Sequence, residues 1–444
     1  MKNENGKLKT EKQIEVPYEL PEGWKWIKQN EVCKLTDGEK LSGIEYPYLE
    51  VKYLRGTKEK VFQSSGKFVI KGTKVILVDG ENSGEVFSVP EDGFMGSTFK
   101  ALSIQNVNEK YLQLFITTKK DLYRNNKKGS AIPHLNKELF FNMPFPLPPT
   151  LTEQQRIVNR IESMFAKLDE AKEKAQNVVD SFETRKAAIL HQAFTGKLTA
   201  KWRAENGVNA NTVLEEIFQY SQKLSKKDFE NICLYQNKAK EVELADKAIW
   251  KKCQIGAIGI VTNGSTPSRK IKEYWNGNIP WVSSGEVSNN IIKFTNELIS
   301  QEGFDNSSVK LLPIGTVLIA MIGEGKTRGQ SSILSIEATT NQNIAAIIIE
   351  HGFIEPNFLW YWLQSQYKKN RSAGAGSGPQ ALNCQRVREL DFIVPTLPEQ
   401  QEIVRILDTV LEKERVAKEA AEKVVEQIDL LKKSILARAF RGEL

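Results

Sequence analysis

Cysteine, histidine and methionine are scarce in this chain, with four, three and five copies among 444 residues. Cys33, Cys233, Cys253 and Cys384 stand far apart, form no C-x-x-C pair, and have only His134, His191 and His351 as companions. That spacing argues against a structural zinc site and against a disulfide framework. Long apolar runs are missing as well: stretches such as Ile344 to Ile349 fall far short of the roughly 20 residues of a membrane span. The opening segment, MKNENGKLKTEK, is charged and has no apolar core, unlike a signal peptide, so a cytoplasmic protein is expected. Catalytic signatures are absent too. There is no G-x-S-x-G, no H-E-x-x-H, no G-x-G-x-x-G after a strand, and no N-P-P-Y tetrapeptide of the amino-methyltransferase kind. The chain is read as non-enzymatic.

What is present is a duplication. Residues 149–198 align without a gap onto residues 395–444, with 22 of 50 positions identical. Each copy follows a proline, carries Glu-Gln-Gln in its first turn, and runs some 40 residues free of Gly and Pro until Gly196 or Gly442. Each is therefore predicted to be one helix. In the first copy Ile157, Ile161, Met164, Leu168, Ala171, Ala175, Val178, Phe182, Arg185 and Ile189 alternate by four and three. In the second, Ile403, Leu407, Val410, Glu414, Ala417, Ala421, Val424, Ile428, Leu431 and Ile435 do the same. Such stripes predict a coiled coil, most simply between the two copies, in either orientation. Arg185 and Glu414 are the polar members, placed to fix register or to face a partner. At 1.5 Å per residue each helix reaches about 60 Å.

The segments before the helices, residues 17–148 and 246–394, share an order of landmarks. An early aromatic strand (Trp24, Trp26, Ile27 against Trp250) precedes a Pro-aromatic strand (Pro47 to Leu49 against Pro280 to Val282). A Gly-Thr strand (Gly72 to Val78 against Gly315 to Met321) and a second apolar strand (Phe99 to Ile104 against Ile344 to Ile349) follow. Then come an aromatic helix (Tyr111 to Phe115 against Phe358 to Trp362) and a Gly-Ser loop ending in Leu-Asn (Gly129 to Asn136 against Gly376 to Asn383). The expected order is domain 17–148, helix 149–198, linker or connecting helix 199–245, domain 246–394, helix 395–444, an α+β architecture.

Three stretches imitate active sites, and the duplication weighs against each. Ala320 to Thr327 approximates a phosphate-binding loop, yet the matching Gly72 to Gly84 has no G-K-T. Asp37 with Glu50 and Lys52 has the spacing of a metal-dependent nuclease, yet the matching strand reads Ser283-Ser284-Gly285. His134, a conceivable base, matches Ala381. Two dissimilar polar domains on similar rods suit a long duplex better, with Lys and Arg on phosphates and Asn, Gln and Arg on base edges. The candidate contacts are Lys52, Arg55, Lys58, Arg124, Asn125, Lys127, Lys128 and Ser130 in the first domain. In the second they are Ser283, Ser284, Lys326, Arg328, Asn341, Gln342, Arg371, Ser377 and Gln380. No metal or cofactor is expected on the chain itself. The rival readings are a bifunctional enzyme, in which one imitation is real, and a structural adaptor that touches no DNA.

The duplicated motifs, Pro149-Thr-Leu-Thr-Glu-Gln-Gln155 with Ala193-Phe-Thr-Gly-Lys-Leu198 and Pro395-Thr-Leu-Pro-Glu-Gln-Gln401 with Ala439-Phe-Arg-Gly-Glu-Leu444, resemble the DNA specificity subunit of type I restriction-modification systems. The resemblance covers residues 17–444, including the loops ending in Leu135-Asn136 and Leu382-Asn383. It implies two target recognition domains, each reading half of a split target, and two helices packed antiparallel as a spacer. It further implies two modification subunits that bind S-adenosylmethionine and methylate adenine, and restriction subunits that use ATP and Mg. A related system with methylation and cleavage on one other polypeptide would use the same architecture.

Overall fold

The computed structural model describes residues 17–128, 133–207, 211–323, 325–372 and 382–444. The chain divides into two compact units, Met1–Val179 with Ala420–Leu444, and Asp180–Glu419. Among the described residues no helix is long and apolar enough to cross a membrane.

The first unit contains β1 (Lys25–Lys28), β2 (Cys33–Thr36), β3 (Glu39–Leu49), α1 (Val51–Leu54), β4 (Phe62–Val69), β5 (Lys74–Leu77), β6 (Val86–Ser88), β7 (Gly93–Met95) and β8 (Phe99–Ile104). α2 (Glu109–Thr118), α3 (Lys120–Asn125), α4 (Lys137–Phe141) and β9 (Pro144–Leu147) lead into the long α5 (Leu151–Phe194). The central sheet has the order β2-β8-β5-β6, and β3, β4 and β7 each pair with the other two. Successive residues of a strand face opposite sides, and here both sides are buried. Val75 and Leu77 enter a core with Leu49, Val69 and Phe99. Ile76 and Val78 enter another with Tyr111, Phe115 and Phe145, to which the long helices add Ile157, Ile161 and Phe440.

The second unit repeats this plan. α6 (Ala200–Asn206), α7 (Val213–Ser221), α8 (Lys226–Gln236), β10 (Lys240–Glu243), β11 (Ile249–Gln254), β12 (Ile260–Asn263), β13 (Trp275–Val282), β14 (Ile291–Ile292), β15 (Glu297–Ile299) and α9 (Gln301–Asp305) come first. β16 (Val317–Ala320), β17 (Ser331–Leu334), β18 (Thr339–Thr340), β19 (Ile344–Ile348), α10 (Pro356–Ser365), α11 (Tyr367–Ser372), α12 (Cys384–Arg388), β20 (Asp391–Val394) and α13 (Leu397–Phe440) complete it. The order β12-β19-β16-β17-β14 matches β2-β8-β5-β6 with one strand added. Val317, Ile319, Ala345 and Ile347 line one core and Leu318, Ala320, Ile344 and Ala346 the other. A sheet covered on both faces reads as a continuous apolar run, which is why Ile344 to Ile349 shows no alternation. Residues 199–245 are more than a linker: Val213, Leu214, Ile217, Ile232 and Tyr235 are buried in this unit's main core.

The two long helices pair antiparallel, and within each unit one residue number rises as the other falls. In the first unit Lys172 bonds Asp429 at 2.7 Å and Lys432 pairs with Asp169. In the second Arg185 meets Glu414 at 2.7 Å, and Lys418 covers Phe182 at 5.1 Å from its ring centre. The seam departs from the expected stripe. Ala171, Ala417, Val424 and Leu431 are exposed, and the half-buried Lys172, Lys418, Val425 and Lys432 stand one residue along in their place. The three lysines lay their stems in the seam and carry their charged ends out of it, so a pattern built from apolar residues alone misplaced these four positions, while the rest of the stripe, Ile161, Val178, Ala421 and Ile428 among them, is buried or half-buried.

Candidate nucleic-acid interface

The motif residues at the ends of the long helices hold the domains. Gln154 and Gln400 are 2% and 0% exposed. Gln154 Oε1 accepts the Asn108 N–H that starts α2 (2.7 Å), and Gln400 Oε1 accepts the Glu355 N–H that starts α10 (2.9 Å). Helix N-termini leave such donors without partners inside the helix. At the other end of each helix a phenylalanine enters an aromatic cluster. Phe440 lies 5.3 Å from Phe115, and Phe194 lies 5.2 Å from Trp362. Gly196 and Gly442 then turn the chain at φ +76° and +74°, the left-handed conformation that ends helices and that glycine adopts without penalty.

On this support the strand ends and loops are tied in the same way in both domains. The Leu135 N–H donates to Val78 O (2.7 Å) as that of Leu382 does to Met321 O (2.9 Å). The Gly96 N–H reaches Leu49 O (3.1 Å) as that of Asn341 reaches Val282 O (3.1 Å). Asn136 and Asn383 cap α4 and α12 through Leu139 and Arg386.

In the second domain these ties bring most of the expected contacts together. Ser283 and Ser284 follow β13, whose partner β18 runs parallel to it and leads into Asn341 and Gln342. The Met321 N–H donates to Asn343 O (2.9 Å), which puts the loop of Lys326 and Arg328 beside them. α11 closes the group, with Tyr367 Oη donating to Lys326 O (2.6 Å) and Arg371 Nη1 to Arg328 O (3.3 Å). Asn341, at 7% exposure, shapes the turn, because its Oδ1 accepts the Asn343 N–H. The exposed Gln342 is held by Thr266 Oγ1 (2.5 Å). Ser283 is bound by Glu286 at 2.8 Å. Ser377 and Gln380 lie outside the described residues.

In the first domain Lys52, Arg55 and Lys58 lie on and after α1, while Arg124, Asn125, Lys127 and Lys128 end α3 and follow it. The turn after β5 links the two groups through its carboxylates. Glu85 pairs with Arg55 and lies 3.6 Å from Lys120 of α3, and Glu81 bonds Lys127 at 2.7 Å. The Lys127 bond and the nearby Arg124 hold the Glu81 carboxyl below its usual range. Lys58 is paired with Glu50, and Lys128 with Glu138 at 3.2 Å. Ser130 lies outside the described residues.

The imitations of active sites have other occupations. β17 follows the Ala320 to Thr327 turn and runs antiparallel to β16, whereas a phosphate loop opens a helix. Asp37 is bound by Lys67 and Lys100, which hold its carboxyl down at about 2. His134 Nδ1 lies 2.6 Å from Asp79, and its backbone pairs with that of Lys128. Among the described residues no cluster of His, Cys, Asp and Glu is fit to hold a metal.

Sequence reading missed the β12–β13 loop. Gly264 admits no side chain, since a Cβ there would stand 1.8 Å from Thr340 O. That close approach seats Ser265 against β18, with its N–H on Thr340 O (2.9 Å) and its carbonyl on Trp281 Nε1 (3.0 Å). Arg269 then stacks 3.6 Å above Trp275 and pairs with Glu297. The turn-rich Asn263-Gly-Ser-Thr-Pro-Ser-Arg269 was the available signal.

Known proteins share this fold. The type I restriction enzyme MjaVIII specificity subunit of Methanocaldococcus jannaschii is 25% identical over 431 residues, 92% of either chain. A chain solved in work on complex assembly and conformational transition of the type I restriction-modification system aligns over 96% of this chain and 100% of its own, with 16% identity and a TM-score of 0.69. The HsdS subunit from Thermoanaerobacter tengcongensis aligns over 97% and 100%, with 17% identity and a TM-score of 0.58. The model of the type I restriction modification DNA specificity domain matches residues 21–180 and 248–427, one copy on each half of the duplication. The chain thus belongs to the type I restriction modification DNA specificity family.

Proposed function

We propose that this chain is the non-catalytic DNA reader of a type I restriction-modification complex, and that each domain reads one half of a bipartite duplex target. The observation that carries the reading is that the two domains share one hydrogen-bond framework while presenting different side chains on it. Lys52, Arg55, Lys58, Arg124, Asn125, Lys127, Lys128 and Ser130 are the proposed contacts of the first domain. Ser283, Ser284, Lys326, Arg328, Gln342, Arg371, Ser377 and Gln380 are those of the second, with Asn341 shaping the turn that offers Gln342. Lysine and arginine set register on phosphates, and the amides and arginines read base edges. The paired helices set the number of unread base pairs and dock two modification subunits. Val424, Leu430 and Leu431, exposed on α13, supply apolar surface for that docking. S-adenosylmethionine, ATP and Mg belong to the modification and restriction subunits.

The test is methylation-site sequencing of host DNA with this gene present and deleted. A split adenine-methylated motif with an unread centre should vanish on deletion, and replacing residues 17–146 by those of another specificity subunit should change one half only. If neither happens and the chain assembled with its partners binds no duplex, the adaptor reading replaces this one.

A further inference from the structure

The two faces of the β10–β11 ribbon carry opposite charge logic. On one face Glu241 stands directly across from Lys251, and they pair at 2.9 Å. On the other face the cross-strand partners are Lys240 and Lys252. Like charges placed directly opposite are destabilising. The cluster grows from there. Lys252 reaches Asp391 at 3.3 Å, and Asp391 also holds Lys369 of α11 at 2.8 Å. Lys238, Lys240, Lys252 and Asp391 line a groove of about 410 Å³. All four lysines are exposed, and among the described residues Lys238 and Lys240 meet no carboxylate. The same short α11 carries Tyr367 and Arg371, which hold the Lys326–Arg328 loop.

We propose that this face is a second DNA-contact surface, on which Lys238, Lys240, Lys252 and Lys369 hold the sugar-phosphate backbone beyond the bases read by the loops. The inference rests on the DNA-reading function proposed above and extends it to β10, in the segment between the two repeats. A duplex fits better than a protein partner. The groove offers compact charges on flexible stems, suited to a row of phosphates, and none of the buried aromatic anchors that dominate protein interfaces. It reads no sequence, so its contribution is affinity and register.

The test is the salt dependence of binding to a labelled random-sequence duplex of about 40 base pairs, long enough to leave backbone free on both sides of the protein. The full chain is used, assembled with its modification partner. Replacing all four lysines by glutamine should lower the steepness of log K against log[salt] by about 0.9 for each phosphate that is no longer neutralised, and so by about 3 to 4. Replacing all four by arginine should preserve it, which guards against a folding defect. Exchanging exposed lysines elsewhere in the unit (K201Q, K226Q, K227Q, K413Q) should leave it unchanged. A glutamine variant that assembles and is as steep as the wild type overturns the inference, and so does a glutamine variant that fails to assemble while the arginine variant assembles, which would give the surface to a protein partner. If the wild-type complex binds no duplex, the DNA-reading function itself falls.

Discussion

The side-chain carbonyl of Gln400 accepts the backbone N–H of Glu355 at 2.9 Å, and its amide donates to Pro395 O at 3.0 Å. One buried side chain thus joins the first turn of a long helix to the first turn of α10. Gln154 does the same with Asn108 and Pro148. Gln400→Ala removes the side-chain partners of the Glu355 N–H and of Pro395 O, and is expected to cost about 1–3 kcal/mol. Urea unfolding followed by tryptophan emission suits the measurement, because six of the eight tryptophans lie in the second unit. An unchanged midpoint would show that the junction adds no net stability.

The neighbouring glutamates should not behave as a pair, although the duplication makes them equivalent. Glu399 is 4% exposed at its side chain and binds Arg203, Thr199 at 2.7 Å and Trp250 at 3.0 Å. Glu153 is 30% exposed and meets Arg156 at 2.9 Å. Glu399→Gln leaves Arg203 buried with a weakened counter-charge, and a loss approaching the ~3–5 kcal/mol of a broken buried pair is expected. Glu153→Gln should cost under about 1 kcal/mol, as for an exposed pair. Equal losses in the same unfolding measurement would contradict this asymmetry.

That contrast shows what the sequence could and could not reveal. The repeat, both long helices and the order of landmarks were legible because they rest on local periodicity and on identity between the copies. The loops of Ser283, Lys326 and Gln342 could be placed for the same reason, since they follow recognisable strands. The stacking of Arg269 on Trp275 escaped because the path of its loop depends on Gly264 approaching Thr340 across 76 positions of sequence. The seam lysines escaped because an amphipathic side chain counts as polar in a pattern and as apolar along its stem. The core role of residues 199–245 escaped because charged faces of α7 and α8 dominate their composition while Ile217 and Tyr235 face inward.

Arg185 and Glu414 meet each other across the pair of long helices. Their contact at 2.7 Å is half-buried, and Arg185 also bonds Ser181. Arg185→Glu sets two carboxylates together in the seam, and Glu414→Arg two guanidinium groups. Each single change is expected to lower the unfolding free energy by about 1 kcal/mol or more, and the double exchange should recover most of it, as a double-mutant cycle reads directly. Additive losses would mean that each residue acts on its own surroundings.

His351 should make the second unit sensitive to mild acid. Its Nε2 lies 2.8 Å from Ile258 O and its Nδ1 accepts the Phe353 N–H at 3.1 Å, an arrangement that suits the neutral ring. Burial pushes its pKa below the ordinary 6.5, and the Ile258 bond offsets this in part. The unfolded chain therefore binds the proton more readily than the folded one between the two pKa values, and stability rises with pH across that interval. Its full contribution is present above about pH 7 and is lost progressively as the pH falls through 6.5 toward the folded value. Ordinary carboxylates titrate below this window, so the difference between wild type and His351→Gln in thermal unfolding between about pH 5.5 and 8 isolates the effect from that of the other two histidines. The wild type should lose more stability toward pH 5.5 than His351→Gln does, and parallel curves for the two would assign the acid sensitivity to another group.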